Sequence, residues 1–180
     1  MAFSYRRLRH TYGFGVHSPY AFRMVRDVVR PGRQYAWYGY EDIDAAVNSA
    51  RASAKMERMV KMFHRLIAFL HPASLFLPLG IDPLFYTAAS CVGSGMKIER
   101  KPKLAEKCVM VATHDDFLPL EQLKKHLLTD GNALAILNYP EGWDHELFRT
   151  LPHGLMLYGT HNLIIVNRHD MMKVAYSVRI

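Results

Sequence analysis

The chain reads as an α/β protein: a helical N-terminal extension over residues 1–72, then a mostly parallel sheet of about six strands over 73–180, ending in an antiparallel hairpin. Three observations point there. Before residue 72 the apolar residues recur at helical spacing, and from Ser74 the period changes. Cys108 to Ala112 is a continuous apolar run, as interior parallel strands tend to be. In the last stretch Val174, Tyr176, Val178 and Ile180 alternate with Lys173, Ser177 and Arg179, the period of a strand with one exposed face. The two parts are expected to form one compact unit.

In the extension, Tyr12 to Phe22 packs two glycines, a Ser-Pro pair and four aromatics into eleven positions, which reads as a docking turn. Ser18 is a natural N-cap and Pro19 a natural first helical residue. Phe22, Val25, Val28 and Val29 follow at helical spacing, and Pro31-Gly32 ends the helix. His17, ahead of the cap, either faces a site mouth or, more plainly, bonds backbone and fixes the turn. A second helix starts near Asp42 or Asp44, where acids suit the dipole. It runs, with room for a break, to Leu70. Its stripe is Met59, Met62, Phe63, Leu66, Ile67 and Leu70, and His71-Pro72 stops it.

The alternation then reads as Leu75 to Leu77 strand, Pro83 to Ser90 helix, Lys97 to Glu99 strand and Cys108 to Ala112 strand. Leu120 to Leu128 is a helix ended by Asp130-Gly131. Ala133 to Leu137 is a strand, His145 to Leu151 a short helix and Leu155 to Tyr158 a strand. Leu163 to Val166 and Lys173 to Ile180, around a turn at Asn167 to Asp170, read as the closing hairpin. Strands separated by helices imply parallel pairing through crossovers.

With 180 residues the chain is long enough for one domain with a sizeable core. No apolar run approaches the roughly 18 residues of a membrane span, so no membrane partner is expected. The basic N-terminus lacks the apolar stretch of a secretory signal. Cys91 and Cys108 are too few and too far apart for a metal motif or disulfide framework, which fits a reducing cytoplasm. The net charge is +7. Residues 1–70 hold 12 Lys and Arg against 5 Asp and Glu, while residues 71–180 hold 11 of each, so the whole excess lies at the front. Such a face either attracts an anionic partner or is a solvated helical surface.

Gly15-Val16-His17-Ser18-Pro19, followed by Tyr20-Ala21-Phe22, resembles the N-terminal signature of a group of small S-adenosylmethionine-dependent methyltransferase-like proteins. The likeness extends over most of the chain as order and spacing. Ala133 to Tyr139 with Trp143 resembles the family's late strand and Trp-containing loop, and Leu155 to Ile180 its closing strands. The resemblance implies a Rossmann-like methyltransferase fold, S-adenosylmethionine as cofactor and, if the protein is active, a small-molecule acceptor. Eight residues separate Glu99 from Cys108, too few for the βα unit the family carries there. Extended, they reach at most about 26 Å, enough to return the chain and step over one strand. The sheet is therefore expected to lack the usual outer strand.

The resemblance also assigns candidate cofactor residues. An acid and a Gly-rich turn normally follow the first strand, where glycines let the backbone approach the ligand. Here the turn is Leu77-Pro78-Leu79-Gly80-Ile81-Asp82-Pro83. Gly80 survives and Pro78 stands where the acid is expected. Asp82 either supplies a polar contact or, more plainly, caps the next helix. Glu99, ending the second strand, fits the position that bonds a ribose hydroxyl, although acids often end strands. Thr113 occupies the tip of the third strand. His114 is the candidate base, and His114 with Asp115 and Asp116 forms an acid–base or metal-ligating set, or the acids cap a helix. Asn138 stands where metal-dependent relatives carry acids, so no metal site is assigned. Tyr139, Trp143 and His145 line a pocket rim or pack the sheet edge.

Three functions fit these residues. One is an S-adenosylmethionine-dependent methyltransferase, which needs mainly positioning of the methyl donor. The second is a relative that keeps the scaffold without catalysis and acts as a binding module, as a homodimer through its aromatic extension. The third, ranked last for want of a recognised motif, is nucleic-acid association through the arginines of the extension.

Overall fold

Ser18 starts the first helix as its sequence requires: its hydroxyl accepts from the Ala21 amide at 3.3 Å, and Pro19 takes the first helical position. The computed structural model describes residues 16–31, 39–93, 95–101, 107–113, 118–140 and 142–178. Helix α1 (Pro19–Met24) runs on into a π-turn at Val25–Val29. The second expected helix is two, α2 (Tyr40–Ser49) and α3 (Ala54–Leu70), the latter capped by Ser53 through the Met56 amide. Met62, Phe63, Leu66 and Ile67 of the expected stripe are buried. Phe22 is not: it is 39% exposed, and Ala21, Met24, Val25, Val28 and Val29 make the buried face instead. His17 is exposed and holds no turn-fixing hydrogen bond among the described residues.

The strands are β1 (Ser74–Phe76), β2 (Lys97–Glu99), β3 (Cys108–Thr113), β4 (Ala133–Leu137), β5 (Leu155–Tyr158), β6 (Asn162–Val166) and β7 (Val174–Ser177). Helix α4 (Pro83–Ser90) follows β1, α5 (Leu120–Leu127) follows β3 and α6 (Trp143–Thr150) follows β4. The sheet has seven strands rather than six, in the order β2-β1-β3-β4-β6-β5-β7. As expected, β2 and β3 flank β1, so the short connection after Glu99 steps over one strand.

The closing hairpin is paired differently from expectation. β6 bonds antiparallel to β5 and to β4, and β7 lies parallel to β5 on the sheet edge. Side-chain chemistry decides this. Every residue of β6 is buried, so it belongs inside the sheet, whereas β7 is only half-buried along its length and suits an edge. All other strands run parallel to one another.

Alternate side chains feed two cores. Leu75, Val109, Val111, Ala135 and Ile164 face α1 to α4, while Phe76, Met110, Leu134, Ile136 and Ile165 face α5 and α6. The extension is thus one outer layer of a three-layer molecule. Tyr20 of the signature segment docks edge-on to Phe69, ring centres 5.4 Å apart, and under the Arg168 guanidinium at 4.3 Å.

A buried polar network ties α5 to the amino ends of the strands. The Asn132 carboxamide oxygen accepts from the Cys108 amide at 2.8 Å, and its NH2 group donates to the His126 carbonyl at 3.1 Å. His126 Nε2 donates to the Ala133 carbonyl at 2.9 Å, leaving Nδ1 to accept from Asn132. Burial pushes the His126 imidazole below its ordinary value of 6.5, outweighing the Ala133 bond. The native ring stays neutral where the unfolded chain takes a proton, so stability should be full above about pH 6.5 and fall as the pH drops below it. Thermal unfolding from pH 7 to 5 should show that decline, and His126→Gln should flatten it.

Gly154 has φ +110°, and a Cβ there would run into the Val166 carbonyl oxygen and stand 3.0 Å from the Arg168 amide. Gly154→Ala should cost about 3 kcal/mol or more, read as a lowered denaturation midpoint with secondary structure otherwise retained.

Candidate functional site

Strand direction gathers the ends of β1 to β4 and the start of β6 along one edge of the sheet, with Thr113 opposite Leu137 and Leu137 opposite Asn162. The strand order reverses between β1 and β3, where open α/β sheets leave a ligand crevice beyond their carboxyl ends. Gly80, Asp82 and Thr113 flank that point. Glu99 ends β2, one strand further out.

The structure brings these residues to one edge but not to one site. Gly80 is exposed, and its φ lies outside the left-handed region, so the turn makes no use of a glycine's freedom. The Asp82 carboxylate accepts from the Leu84 amide at 2.9 Å, which makes it the N-cap of α4 with Pro83 at the first helical position. Glu99 is half-buried and in register with Phe76, which faces the α5–α6 layer. Thr113 falls three residues beyond Met110, another residue of that layer, so the pleat turns it to the opposite face. His114 and the adjoining acid pair lie outside the described residues.

Two residues without a sequence signal close the β1–β2 end of the edge. The Tyr86 hydroxyl, from α4, donates to the Pro78 carbonyl at 3.1 Å and reaches the Leu77 carbonyl at 3.3 Å. Arg100, just past β2, bonds that hydroxyl and lays its guanidinium 4.1 Å from the centre of the ring. The carbonyls that end β1 and the exit of β2 are therefore bridged by side chains of the chain itself.

The β4–β6 end is open. A cavity of about 540 Å³ is lined by Tyr139, Gly142, Asp144, His145, Thr160 and His161. Tyr139 and His145 thus reach the expected rim, with the Tyr139 hydroxyl donating to the Gly159 carbonyl at 3.2 Å. Trp143 packs with the α5–α6 core instead. His161 sits in no sequence motif, and only the β5–β6 turn brings it to this cavity. Among the described residues no three His, Cys, Asp or Glu side chains cluster to hold a metal ion.

A second cavity, of about 620 Å³, lies on the extension face of the same edge. The end of the π-turn supplies Val29, Arg30 and Pro31, and one face of α3 supplies Lys55, Arg58, Met59, Met62 and Arg65. Asn162 joins them from the first position of β6. Arg65 is 6% exposed; its Nε donates to the Val28 carbonyl at 2.7 Å and its terminal nitrogen to the Tyr40 hydroxyl at 2.6 Å. Burial pushes its guanidinium below the ordinary value, against the Tyr40 bond, but an arginine this far above neutrality stays charged.

Searches of family models, curated proteins and solved structures return no match to this chain. No described helix is long and apolar enough to cross a membrane. The architecture defines the class to which the chain can be assigned: a three-layer α/β protein with a mostly parallel seven-strand sheet.

Asp82 acts on the helix rather than on a ligand, so Asp82→Ala should cost about 1 kcal/mol in chemical denaturation, and Asp82→Ser should restore most of it.

Proposed function

We propose that the protein is a methyltransferase-like scaffold that binds a ligand without transferring a methyl group. The sheet supports the scaffold part: it has parallel strands with one antiparallel strand from a late hairpin, as the resemblance of the signature segment implies, and departs from it in having no described strand between β2 and β3. One observation carries the loss of catalysis. Where the resemblance calls for a glycine-lined cradle and a free acid, Tyr86 and Arg100 bridge the ends of β1 and β2, and the Asp82 carboxylate is committed to the Leu84 amide. A cofactor entering there would have to break the Tyr86 bonds and displace a stacked guanidinium before making any contact of its own. Glu99 alone cannot compensate for that with one ribose hydrogen bond, worth about 1 kcal/mol net.

Calorimetric titration of the full chain with S-adenosylmethionine and S-adenosylhomocysteine tests the reading. No binding heat is expected up to about millimolar ligand, a ceiling near −4 kcal/mol. Micromolar binding weakened by Glu99→Ala would overturn the reading and restore a methyltransferase.

A further inference from the structure

We infer that the cavity between α3, the π-turn and the start of β6 is a binding site for a small soluble phosphate ester. It stands apart from the β1–β2 end of the edge, so its test is independent of the cofactor titration.

The charges have one sign. Arg30, Lys55, Arg58 and Arg65 line the cavity, and among the described residues no acid does. The neighbouring acids are engaged elsewhere: Asp27 with Arg26 at 2.6 Å, and Asp44 and Glu57 with Lys61 at 2.5 and 2.8 Å. Lys55 and Arg58 make no ion pair among the described residues. Arg65 is the costly member. It is a buried cation whose hydrogen bonds go to neutral oxygens, and such a charge is stabilised by an anion placed beside it. Guanidinium groups on one helix face suit phosphate oxygens, which they can bind in bidentate fashion.

A second observation, independent of charge, points to a ligand. Asn162 is 5% exposed, and its carboxamide oxygen is buried without a hydrogen-bond partner, the single such side-chain atom among the described residues. A buried acceptor left unpaired is destabilising unless a donor arrives. A ligand with a hydroxyl near its phosphate supplies that donor. Met59, Met62 and Val29 give its carbon skeleton an apolar wall. The volume, about 620 Å³, lies in the range of small-molecule sites.

The test uses the full chain, with glycerol 3-phosphate and inorganic phosphate as probes in calorimetry at low salt. Glycerol 3-phosphate should bind more tightly than phosphate. The exposed double variant Lys55→Gln/Arg58→Gln should bind both roughly ten-fold or more weakly, since two charge-assisted contacts are lost. Asn162→Leu should keep phosphate binding and abolish the preference for the ester, an effect that a purely structural role would not produce. Arg23→Gln, outside the cavity, should change nothing. Absence of binding at about 10 mM probe, or equal weakening by Arg23→Gln, overturns the site. Sedimentation with phosphatidate vesicles separates the sources: capture of the chain by vesicles without binding of the soluble ester would transfer the phosphate to a lipid headgroup and overturn the soluble ligand.

Discussion

A sheet whose central strands are buried on both faces has to be covered on both, and here one cover comes from before the first strand. β4 and β6 are buried at every position. The crossovers after β3 and β4 cover one face with α5 and α6, and among the described residues α4 is the only crossover helix on the other. The remaining apolar area on that face falls to α1, the π-turn, α2 and α3. Removing them would expose Val109, Val111, Ala135, Leu157 and Ile164 together, a patch well beyond what a free surface tolerates. The extension is therefore a structural layer, and the order in which the chain presents its parts hides this.

That layering explains the charge. A helix laid across an apolar sheet face has to put its polar residues along its flanks, and α3 runs past the carboxyl edge of the strands. Lys55, Arg58 and Arg65 are brought there by the same helical turn that buries Met62, Phe63, Leu66 and Ile67. Arg65 links the layer internally, reaching the Val28 carbonyl of the π-turn and the Tyr40 hydroxyl of α2. It holds three helical segments in register. A neutral side chain of similar length could bridge the same oxygens at lower desolvation cost, so the cation is not explained by cohesion of the layer alone.

Much of the fold was legible in local signals. Ser18-Pro19, Asp82-Pro83 and the apolar run of β3 each specify an element through a cap or a period, and each stands where the sequence puts it. Even the step of the chain over one strand after Glu99 could be read, because chain length is a hard limit on reach. The pairing of β6 and β7 could not be read from turn spacing. Two strands adjacent in sequence separated because burial, not proximity, decided their places, and the fully apolar Leu163 to Val166 was the clue to an interior position. The site was less legible. Asp82 and Glu99 look like ligand residues in isolation, and only the three-dimensional bonds of Tyr86 and Arg100 show the place beside them to be filled. Asn162 carries no signal at all in one dimension; its meaning comes from an oxygen left without a partner.

Space along the carboxyl edge is thus unevenly distributed. At the β1–β2 end, where strands run in one direction and a short turn leads straight into α4, the chain closes the gap with its own Tyr–Arg bridge. At the β4–β6 end the antiparallel strand begins where its neighbour stops, so the β4–α6 loop and the β5–β6 turn leave the sheet side by side and cannot both pack over it. Two cavities open there, one towards each outer layer. Topology thus closes one end of the edge and leaves the other open. The cavity on the extension face takes its walls from the extension and β6, not from the turn after the first strand.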